Sequence, residues 1–351
     1  MKNHIFSENP FGLNVVSIGG GTGLSTVLSG LKRFVEASRN EPVWLNKLSG
    51  IVAVSDDGGS SGRLRNELRM LAPGDVRSCM VALSEDSHLL SKLFQHRFRG
   101  DGELGGHSFG NLFLAALTEI TGDFAEAVQL SSEVLAMKGH IYPATNADVH
   151  LIAELNDGTL IRGETNLAKF GKSIKRIKLF PENCLPLPEA ITAINEASVI
   201  TIGPGSLYTS LLPPLLVDGV ADAIAKSKAV KVFICNLMTQ PGETDGYSAK
   251  KHLEAIREHA PQFEFDYVVL NNRPVSDLQA KMYAEDGAEQ IGVRGSISPE
   301  TIDGAEIIYG NLLDDGEKVR HHPERLAQTI LLCAIKEKKA VTNRQPLAVS
   351  S

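Results

Sequence analysis

The stretch Asn14-Val-Val-Ser-Ile-Gly19-Gly-Gly-Thr-Gly23-Leu-Ser25 decides the fold, because a short apolar run breaks into glycines and then opens a helical pattern. Such a turn exposes unpaired N–H groups at the positive end of a helix, where a phosphate can lie against bare backbone. A second apolar run ends in Ser55-Asp-Asp-Gly-Gly-Ser60-Ser-Gly-Arg63. Carboxylates beside a guanidinium suit a hydrated divalent ion, or ribose hydroxyls plus a phosphate. The two turns predict a nucleotide-type ligand held by Gly20, Gly21, Thr22, Gly23, Asp56, Asp57 and Arg63.

Short runs rich in Val and Ile predict buried strands, with helical patterns between most of them. The runs cover residues 13–18, 50–54, 199–202, 230–235 and 267–270, and helical patterns cover 74–98 and 108–136, the latter interrupted near Gly122-Asp123. This alternation predicts an α/β fold: a doubly wound, mostly parallel (Rossmann-like) sheet with helices on both faces. Ligands of such sheets bind at the carboxyl ends of strands, which is where the candidate residues fall.

A small antiparallel insert is expected at about 140–180. Residues 149–155 and 159–162 flank Asn156-Asp157-Gly158, a pairing typical of a β-hairpin, and 174–179 would extend it. No internal repeat or low-complexity linker divides the chain. We therefore expect a single α/β domain over 12–337, with a loose N-terminal tail at 1–11 and a loose C-terminal tail at 338–351.

Composition excludes several classes of protein. The 351 residues carry a net charge of -7, which argues against general nucleic-acid binding because phosphate backbones demand a broad basic face. No apolar stretch reaches the roughly 20 residues of a spanning helix, so no membrane span is expected. The four cysteines show no CxxC spacing and no signal peptide precedes them, which indicates reduced thiols in a cytoplasmic protein.

The glycine turn differs from two familiar phosphate motifs. Its spacing does not match the dinucleotide GxGxxG pattern, and no lysine follows as in a P-loop, so NAD binding and P-loop hydrolysis are disfavoured. A merely tight strand-to-helix turn is the structural alternative. For Asp56 and Asp57 the alternative is a turn in which they cap following backbone amides.

Three further junctions have the same character, each with a structural alternative. Asp75 in Pro73-Gly-Asp75 is placed to cap a helix or to reach the ligand. His107 and Asn111, four residues apart, suit phosphate binding, proton transfer or plain packing at a helix start. Gly205 and Ser206 follow a buried strand, and Ser206 is placed to cap or to contact a ligand. Converging helix ends of this kind would suit a diphosphate.

Candidate recognition groups lie later in the chain. The loop from Asn236 to Tyr247 holds amide, hydroxyl and carboxyl groups, of which Asn236 and Thr239 are the stronger candidates for binding a sugar or base, although surface turns share this composition. Tyr283 would supply a stacking ring and Arg320 a phosphate fork. Their local sequence alone equally suits a half-buried helix residue and a surface charge. No Ser-His-Asp series or zinc spacing is visible.

An ordered set of motifs is more specific than any single turn. It comprises Gly-Gly-Gly-Thr-Gly-Leu (19–24), Ser-Asp-Asp-Gly-Gly-Ser-Ser-Gly-Arg (55–63), Pro-Gly-Asp (73–75), His-Ser-Phe-Gly-Asn (107–111), Gly-Pro-Gly-Ser-Leu-Tyr-Thr-Ser (203–210) and Asn-Leu-Met-Thr-Gln-Pro-Gly-Glu-Thr (236–244). Over about 14–334 the chain resembles the gluconeogenesis factor family, the regulatory branch of the 2-phospho-L-lactate transferase-like fold.

The resemblance implies a cytoplasmic regulator that binds UDP-N-acetylglucosamine or a similar UDP-sugar and is required for cell shape and envelope synthesis on gluconeogenic carbon sources. Carried across, Gly20 to Gly23 would hold the diphosphate and Asp56 and Asp57 the ribose or a metal such as Mg²⁺. His107, Asn111, Gly205 and Ser206 would complete the pocket, while Tyr283 and Arg320 would contact the UDP-sugar.

A regulatory protein partner would read out the bound state, and whether the chain forms a homo-oligomer stays open. The alternative is a metal-dependent transferase that moves a phospho-acyl group from a nucleotide diphosphate donor to a deazaflavin acceptor. In that enzyme Asp56 or Asp57 would hold the ion, and backbone amides would stabilise transition-state charge.

Overall fold

The computed structural model describes residues 11–35, 43–85, 88–170, 174–292 and 300–344. Its strands are β1 (Phe11–Gly19), β2 (Val43–Val52), β3 (His140–Pro143), β4 (His150–Leu155), β5 (Leu160–Arg162), β6 (Ile174–Phe180), β7 (Val199–Ile202), β8 (Val230–Ile234), β9 (Tyr267–Asn271), β10 (Thr301–Ile302) and β11 (Ala305–Gly310). Within the described residues, eight of these strands form one sheet in the order β10-β11-β9-β8-β7-β1-β2-β3.

The main sheet confirms the predicted fold class. Its neighbouring strands pair in parallel except β10 and β11. Strands β7 and β9 are buried at every position, which explains why they appear in the sequence as short runs rich in Val and Ile. The chain adds β2 and β3 on one side of β1 and then returns to place β7 on the other side. This reversal puts a crevice at the carboxyl ends of β1 and β7.

Helices fill the connections. They are α1 (Gly21–Leu31), α2 (Gly59–Leu68), α3 (Pro73–Leu83), α4 (His88–Gln95), α5 (Phe109–Thr121), α6 (Phe124–Val134), α7 (Glu164–Phe170), α8 (Pro188–Glu196), α9 (Leu212–Leu215), α10 (Val220–Lys226), α11 (Ala249–His259), α12 (Asp277–Glu285) and α13 (Pro323–Arg344). A 3-10 turn (Lys32–Phe34) follows α1 and a π-helix (Leu207–Leu211) precedes α9. Helix α1 packs against α3 and α13, whereas α8 to α11 form a second packed group.

Each long helical pattern in the sequence proves to be two helices. The break in the second pattern lies where predicted: Gly122 ends α5 with a φ of 74°, a left-handed conformation that glycine adopts without strain. Asp123 then caps α6, because its side chain accepts the backbone N–H of Glu126.

The predicted insert is a separate antiparallel sheet in the order β5-β4-β6, and its hairpin is confirmed. The range expected for it was too wide, because β3 lies within 140–180 yet belongs to the main sheet. It pairs in parallel with residues Ser49 to Val52 of β2. Four residues of mixed polarity at a sheet edge give no alternating pattern that distinguishes them from the insert.

The C-terminal region differs from expectation. Helix α13 continues to Arg344, so residues 338–344 are helical where the sequence predicts a loose tail. Lysine and glutamate occupy positions 336–339, where the helix enters this stretch, and as good helix formers they let the helix extend beyond its buried part. The predicted tail at 1–11 lies outside the described residues apart from Phe11, the first residue of β1.

All four cysteines are free and buried. Among the described residues, no single helix is both long and apolar enough to cross a membrane, and one bent pair, Leu207–Leu215 with Val220–Lys226, passes that test only when joined.

Two buried polar side chains tie the insert to the main body. Arg65 of α2 is 4% exposed; its Nε donates to Asp148 at 2.8 Å and its Nη2 to the Val149 carbonyl. His259 of α11 has Nδ1 2.7 Å from the Ala255 carbonyl and accepts the Ile177 N–H of β6 at Nε2, 3.0 Å away. Both ring nitrogens are thus used by a neutral imidazole that donates at Nδ1.

The His259 contact predicts a pH dependence of folding. Burial lowers the pKa of His259 from its usual 6.5, so the unfolded chain takes up a proton before the folded one does. The stability from this contact is present above about pH 6.5 and is lost as the pH falls below it. We expect the unfolding free energy, measured in urea between pH 7.5 and 5.5, to fall less steeply in His259→Gln than in the wild type. The exposed His96→Gln should keep the wild-type profile; an unchanged slope in His259→Gln would contradict the assignment.

Candidate functional site

A cavity of about 530 Å³ opens at the carboxyl ends of β1, β7 and β8, at the reversal of strand order. Residues from distant parts of the chain line it. Those named as candidates in the sequence are Gly20, Gly21, Thr22, Gly23, Gly205, Ser206, Asn236, Thr239, Tyr283 and Arg320. The structure therefore brings together ten of the candidate residues, while Asp56, Asp57, Arg63, His107 and Asn111 do not line this cavity.

The first wall is the glycine turn at the start of α1. Gly20 precedes the helix in extended conformation, and no side chain within the turn caps the helix end. A Cβ atom on Gly23 would lie 2.0 Å from the Pro204 carbonyl oxygen, so only glycine lets the turn approach the loop after β7 this closely. The N-terminus of α1 thus faces the cavity with backbone rather than side chains, which favours an anionic ligand.

The second wall is the loop after β7, which Asn236 holds. The Asn236 side chain accepts the Gly205 N–H at 2.9 Å and donates to the Gly205 carbonyl at 2.8 Å. Gln240 donates to the Ser206 hydroxyl at 2.6 Å. Thr239 also uses its polar groups within the protein. Its backbone N–H donates to the Glu289 carbonyl and its hydroxyl accepts the Glu289 N–H, both at 2.8 Å. These side chains position the wall more than they reach into the cavity.

The third wall carries the positive charge. Lys318 and Arg320 are two apart in one arm of a loop and both line the cavity, beside Tyr283 of α12. The Tyr283 hydroxyl accepts the Val319 N–H at 3.1 Å, which fixes the residue between the two cations. Lys318 was not predicted from the sequence. Its position two residues before Arg320 is a signal, because residues i and i+2 of an extended segment lie on the same side of the chain.

Carboxyl groups gather behind the glycine turn. Asp75 lies in the first turn of α3 without capping it, and its side chain accepts a backbone hydrogen bond from Gly21. Burial and the neighbouring Asp56 carboxylate raise the pKa of Asp75 to about 7. Burial, Asp56 and Asp75 also raise the pKa of Glu164 to about 8, and burial raises that of Glu243 to about 7. The partner of Asp56 is therefore Asp75, which is distant in sequence, and not its neighbour Asp57.

Asp57 points into the insert instead. One of its carboxylate oxygens accepts both the backbone N–H of Thr165 at 2.8 Å and the hydroxyl of Thr165 at 2.7 Å. Asp56 accepts the Gly58 N–H at 2.8 Å, the turn-capping contact that the sequence allowed as its alternative. Within the described residues no group of three or more His, Cys, Asp or Glu side chains is arranged to hold a metal ion.

His107, Asn111 and Arg63 form a separate polar cluster at the start of α5. His107 precedes the helix, and its Nδ1 lies 3.0 Å from the Ser60 hydroxyl, to which the Asn111 amide also donates at 3.1 Å. Arg63 donates to the Gly105 carbonyl at 2.7 Å. Burial and the charge of Arg63 lower the pKa of His107, so it is a neutral group here. For His107 and Asn111, these contacts agree with the structural alternative given from the sequence, packing at the start of a helix.

Fold and cavity together define a class: an α/β protein with a doubly wound sheet and a polar cleft at its switch point. Residues 15–313 match the family model described as 2-phospho-L-lactate transferase CofD. The chain belongs to this family and, within it, to the gluconeogenesis factors.

The relatives and a solved structure agree. The gluconeogenesis factor of Halalkalibacterium halodurans is 47% identical over 91% of this chain and 95% of its own length. That of Bacillus subtilis is 43% identical over 92% and 98%. The crystal structure of a Bacillus halodurans protein superposes with a TM-score of 0.85 at 46% identity, covering 92% of this chain and all of that one.

The close approach at Gly23 predicts a sharp mutational effect. Gly23→Ala places a methyl group 2.0 Å from the Pro204 oxygen, so the first two walls must separate. We expect a loss of unfolding free energy of about 1–3 kcal/mol by urea denaturation, typical of overpacking. Gly102→Ala is the matched control, because a Cβ there meets nothing within 4 Å and, as at Gly23, the backbone is not in the left-handed region. A loss at Gly23 no larger than the loss at Gly102 would contradict the role of the Pro204 contact.

Proposed function

We propose that this chain binds UDP-N-acetylglucosamine, or a similar UDP-sugar, in the cavity between α1 and the Arg320 loop, and that it acts as a regulator. The observation that carries the proposal is the presence of two complementary walls in one cavity. The backbone of the glycine turn at the N-terminus of α1 and the side chains of Lys318 and Arg320 line the same cavity. A diphosphate matches both walls, since it accepts from backbone N–H groups and pairs with cations.

The remaining walls suit the two ends of such a ligand. Tyr283 offers a half-buried ring for stacking against a base or sugar. The Asn236 to Gln240 segment offers backbone groups and the Gln240 side chain, whose Oε1 is buried without a hydrogen-bond partner among the described residues. An unpaired buried acceptor is costly, and a ligand hydroxyl or N–H would offset that cost.

A regulatory role is supported by the names of the relatives, which are gluconeogenesis factors at 43–47% identity. We extend to this chain the family's role in cell shape and envelope synthesis on gluconeogenic carbon sources. In this proposal the protein acts in the cytoplasm and passes the ligand level to a protein partner.

Two observations favour the transferase alternative. Residues 15–313 match a family model described as 2-phospho-L-lactate transferase CofD. The carboxyl groups of Asp56 and Asp75 also lie beside the glycine turn. Formation of a phosphorylated deazaflavin from a nucleotide diphosphate donor would establish it.

Calorimetric titration of the purified chain with UDP-N-acetylglucosamine, UDP and GDP tests the binding proposal directly. We expect UDP-N-acetylglucosamine to bind tightest and GDP weakest. A preference for GDP with no response to the UDP-sugar would overturn it.

Arg320→Ala should weaken UDP-sugar binding at least ~10-fold, the scale of one lost charge-assisted hydrogen bond. Arg320 is exposed at the cavity wall, so its removal should leave the fold intact. Arg176→Ala, which removes an equal charge from the exposed side of β6, is the matched control and should bind as the wild type does. Unchanged affinity in Arg320→Ala would remove this residue from the site.

We further propose that Mg²⁺ accompanies the nucleotide and that Asp56 and Asp75 would hold it. Mg²⁺ is usually bound by one or two carboxylates together with substrate phosphates and water, which agrees with the pair found here. The ion would neutralise two carboxylates that repel each other and the incoming diphosphate. We do not assign Asp57 to this role, because Thr165 engages one of its carboxylate oxygens.

Asp75→Asn tests whether Asp75 holds Mg²⁺. It removes a carboxylate ligand next to the glycine turn, so we expect UDP-sugar affinity to become nearly independent of magnesium, whereas wild-type affinity rises with magnesium. Asp57→Asn makes the same substitution at a carboxylate outside the proposed metal site and should retain the magnesium response. Titrations with and without magnesium would contradict the metal proposal if the wild type showed no response.

A further inference from the structure

Helix α12 forms part of the cavity wall without being anchored in the core. None of its residues from Asp277 to Glu285 is buried. Its N-terminus carries a complete capping box, in which Ser276 accepts the Gln279 N–H and the Gln279 side chain accepts the Ser276 N–H. Because apolar packing does not hold this helix, polar contacts decide where it lies relative to the cavity.

Those contacts run to the loop that carries Arg320. The side-chain nitrogen of Gln279, Nε2, donates to the Gly316 carbonyl at 3.0 Å and lies 3.4 Å from the Glu317 carbonyl oxygen. One helical turn later, Tyr283 accepts the Val319 N–H. The helix therefore holds the loop at two points, its tip and its returning arm.

The loop itself is closed like a hairpin. Leu313 and His321 form an antiparallel bridge, and the Asp314 N–H donates to the Arg320 carbonyl at 2.8 Å. A displacement of the tip is therefore transmitted to the arm that presents Lys318 and Arg320 to the cavity.

We propose that Gln279 is a positioning residue, which holds the 314–320 loop so that Arg320 meets the ligand; this rests on the proposed function of the cavity. Its side chain uses both ends of the amide. The oxygen accepts from the N–H and hydroxyl of Ser276, at 3.1 and 3.0 Å, and the nitrogen serves the loop. Glutamate could perform the first task but not the second, because an ionised carboxylate has no proton to donate.

Gln279→Glu tests whether the side-chain oxygen and nitrogen of Gln279 have these separate tasks. Glutamate is a normal partner in a capping box, so helix α12 keeps its N-terminus, while a carboxylate against the Gly316 and Glu317 carbonyls repels the loop. We expect UDP-N-acetylglucosamine affinity to fall about 10-fold, the scale of one lost hydrogen bond, with an unchanged melting temperature. Lys281→Gln, on the exposed side of the same helix, makes the same change in net charge and should bind as the wild type does.

A double-mutant cycle with Arg320→Ala establishes the route of the effect. If Gln279 acts through the Arg320 loop, adding Gln279→Glu to Arg320→Ala should weaken binding no further. Full additivity of the two losses, or wild-type affinity in Gln279→Glu alone, would overturn the inference.

A ligand-free measurement keeps the inference separate from the proposed function. The amides of Asp314 and Val319 are hydrogen-bonded within this assembly, so hydrogen exchange there should accelerate in Gln279→Glu and not in Lys281→Gln. If the wild type bound no UDP-sugar, the function would fail while accelerated exchange still supported the positioning role. Unchanged exchange would refute that role whatever the ligand.

Discussion

The approach of α1 to the loop after β7 is the constraint on which the site depends. Gly23 lies against the Pro204 carbonyl at a distance that no side chain permits, and Asn236 clamps Gly205 with two hydrogen bonds. Because β1 and β7 are neighbours across the reversal of strand order, two turns far apart in sequence become adjacent walls. Their juxtaposition builds one side of the cavity from backbone that neither turn supplies alone.

Electrostatics divides the cavity into two regions. Lys318 and Arg320 lie on one wall, while the carboxyl groups of Asp56 and Asp75 gather behind the glycine turn on the other. An anion between them is attracted from one direction and repelled from the other unless a proton or cation compensates. The pKa of Asp75 is raised because burial and the neighbouring Asp56 carboxylate both disfavour its charged form.

The sequence predicts the fold well where local pattern and tertiary position agree. Strands buried on both faces, such as β7 and β9, appear as short runs rich in Val and Ile, and Asp-Gly marks the hairpin of the insert. Strand β3 was not predicted, because an edge strand of only four residues shows no alternation of polar and apolar residues. The site is harder, since a turn reveals its chemistry but not its neighbours. Asp56 and Asp57 are adjacent in sequence, yet pairing with Thr165 takes Asp57 away and leaves Asp75 beside Asp56.

The cavity joins residues from opposite ends of the chain, with Gly20 to Gly23 on one wall and Lys318 to His321 on another. During synthesis the first wall emerges from the ribosome some three hundred residues before the last. A nascent chain can complete β1 and α1 early, but it has no closed binding cleft until the residues up to His321 have been made. Occupancy of the cleft would therefore distinguish molecules that extend past His321 from shorter products of premature termination.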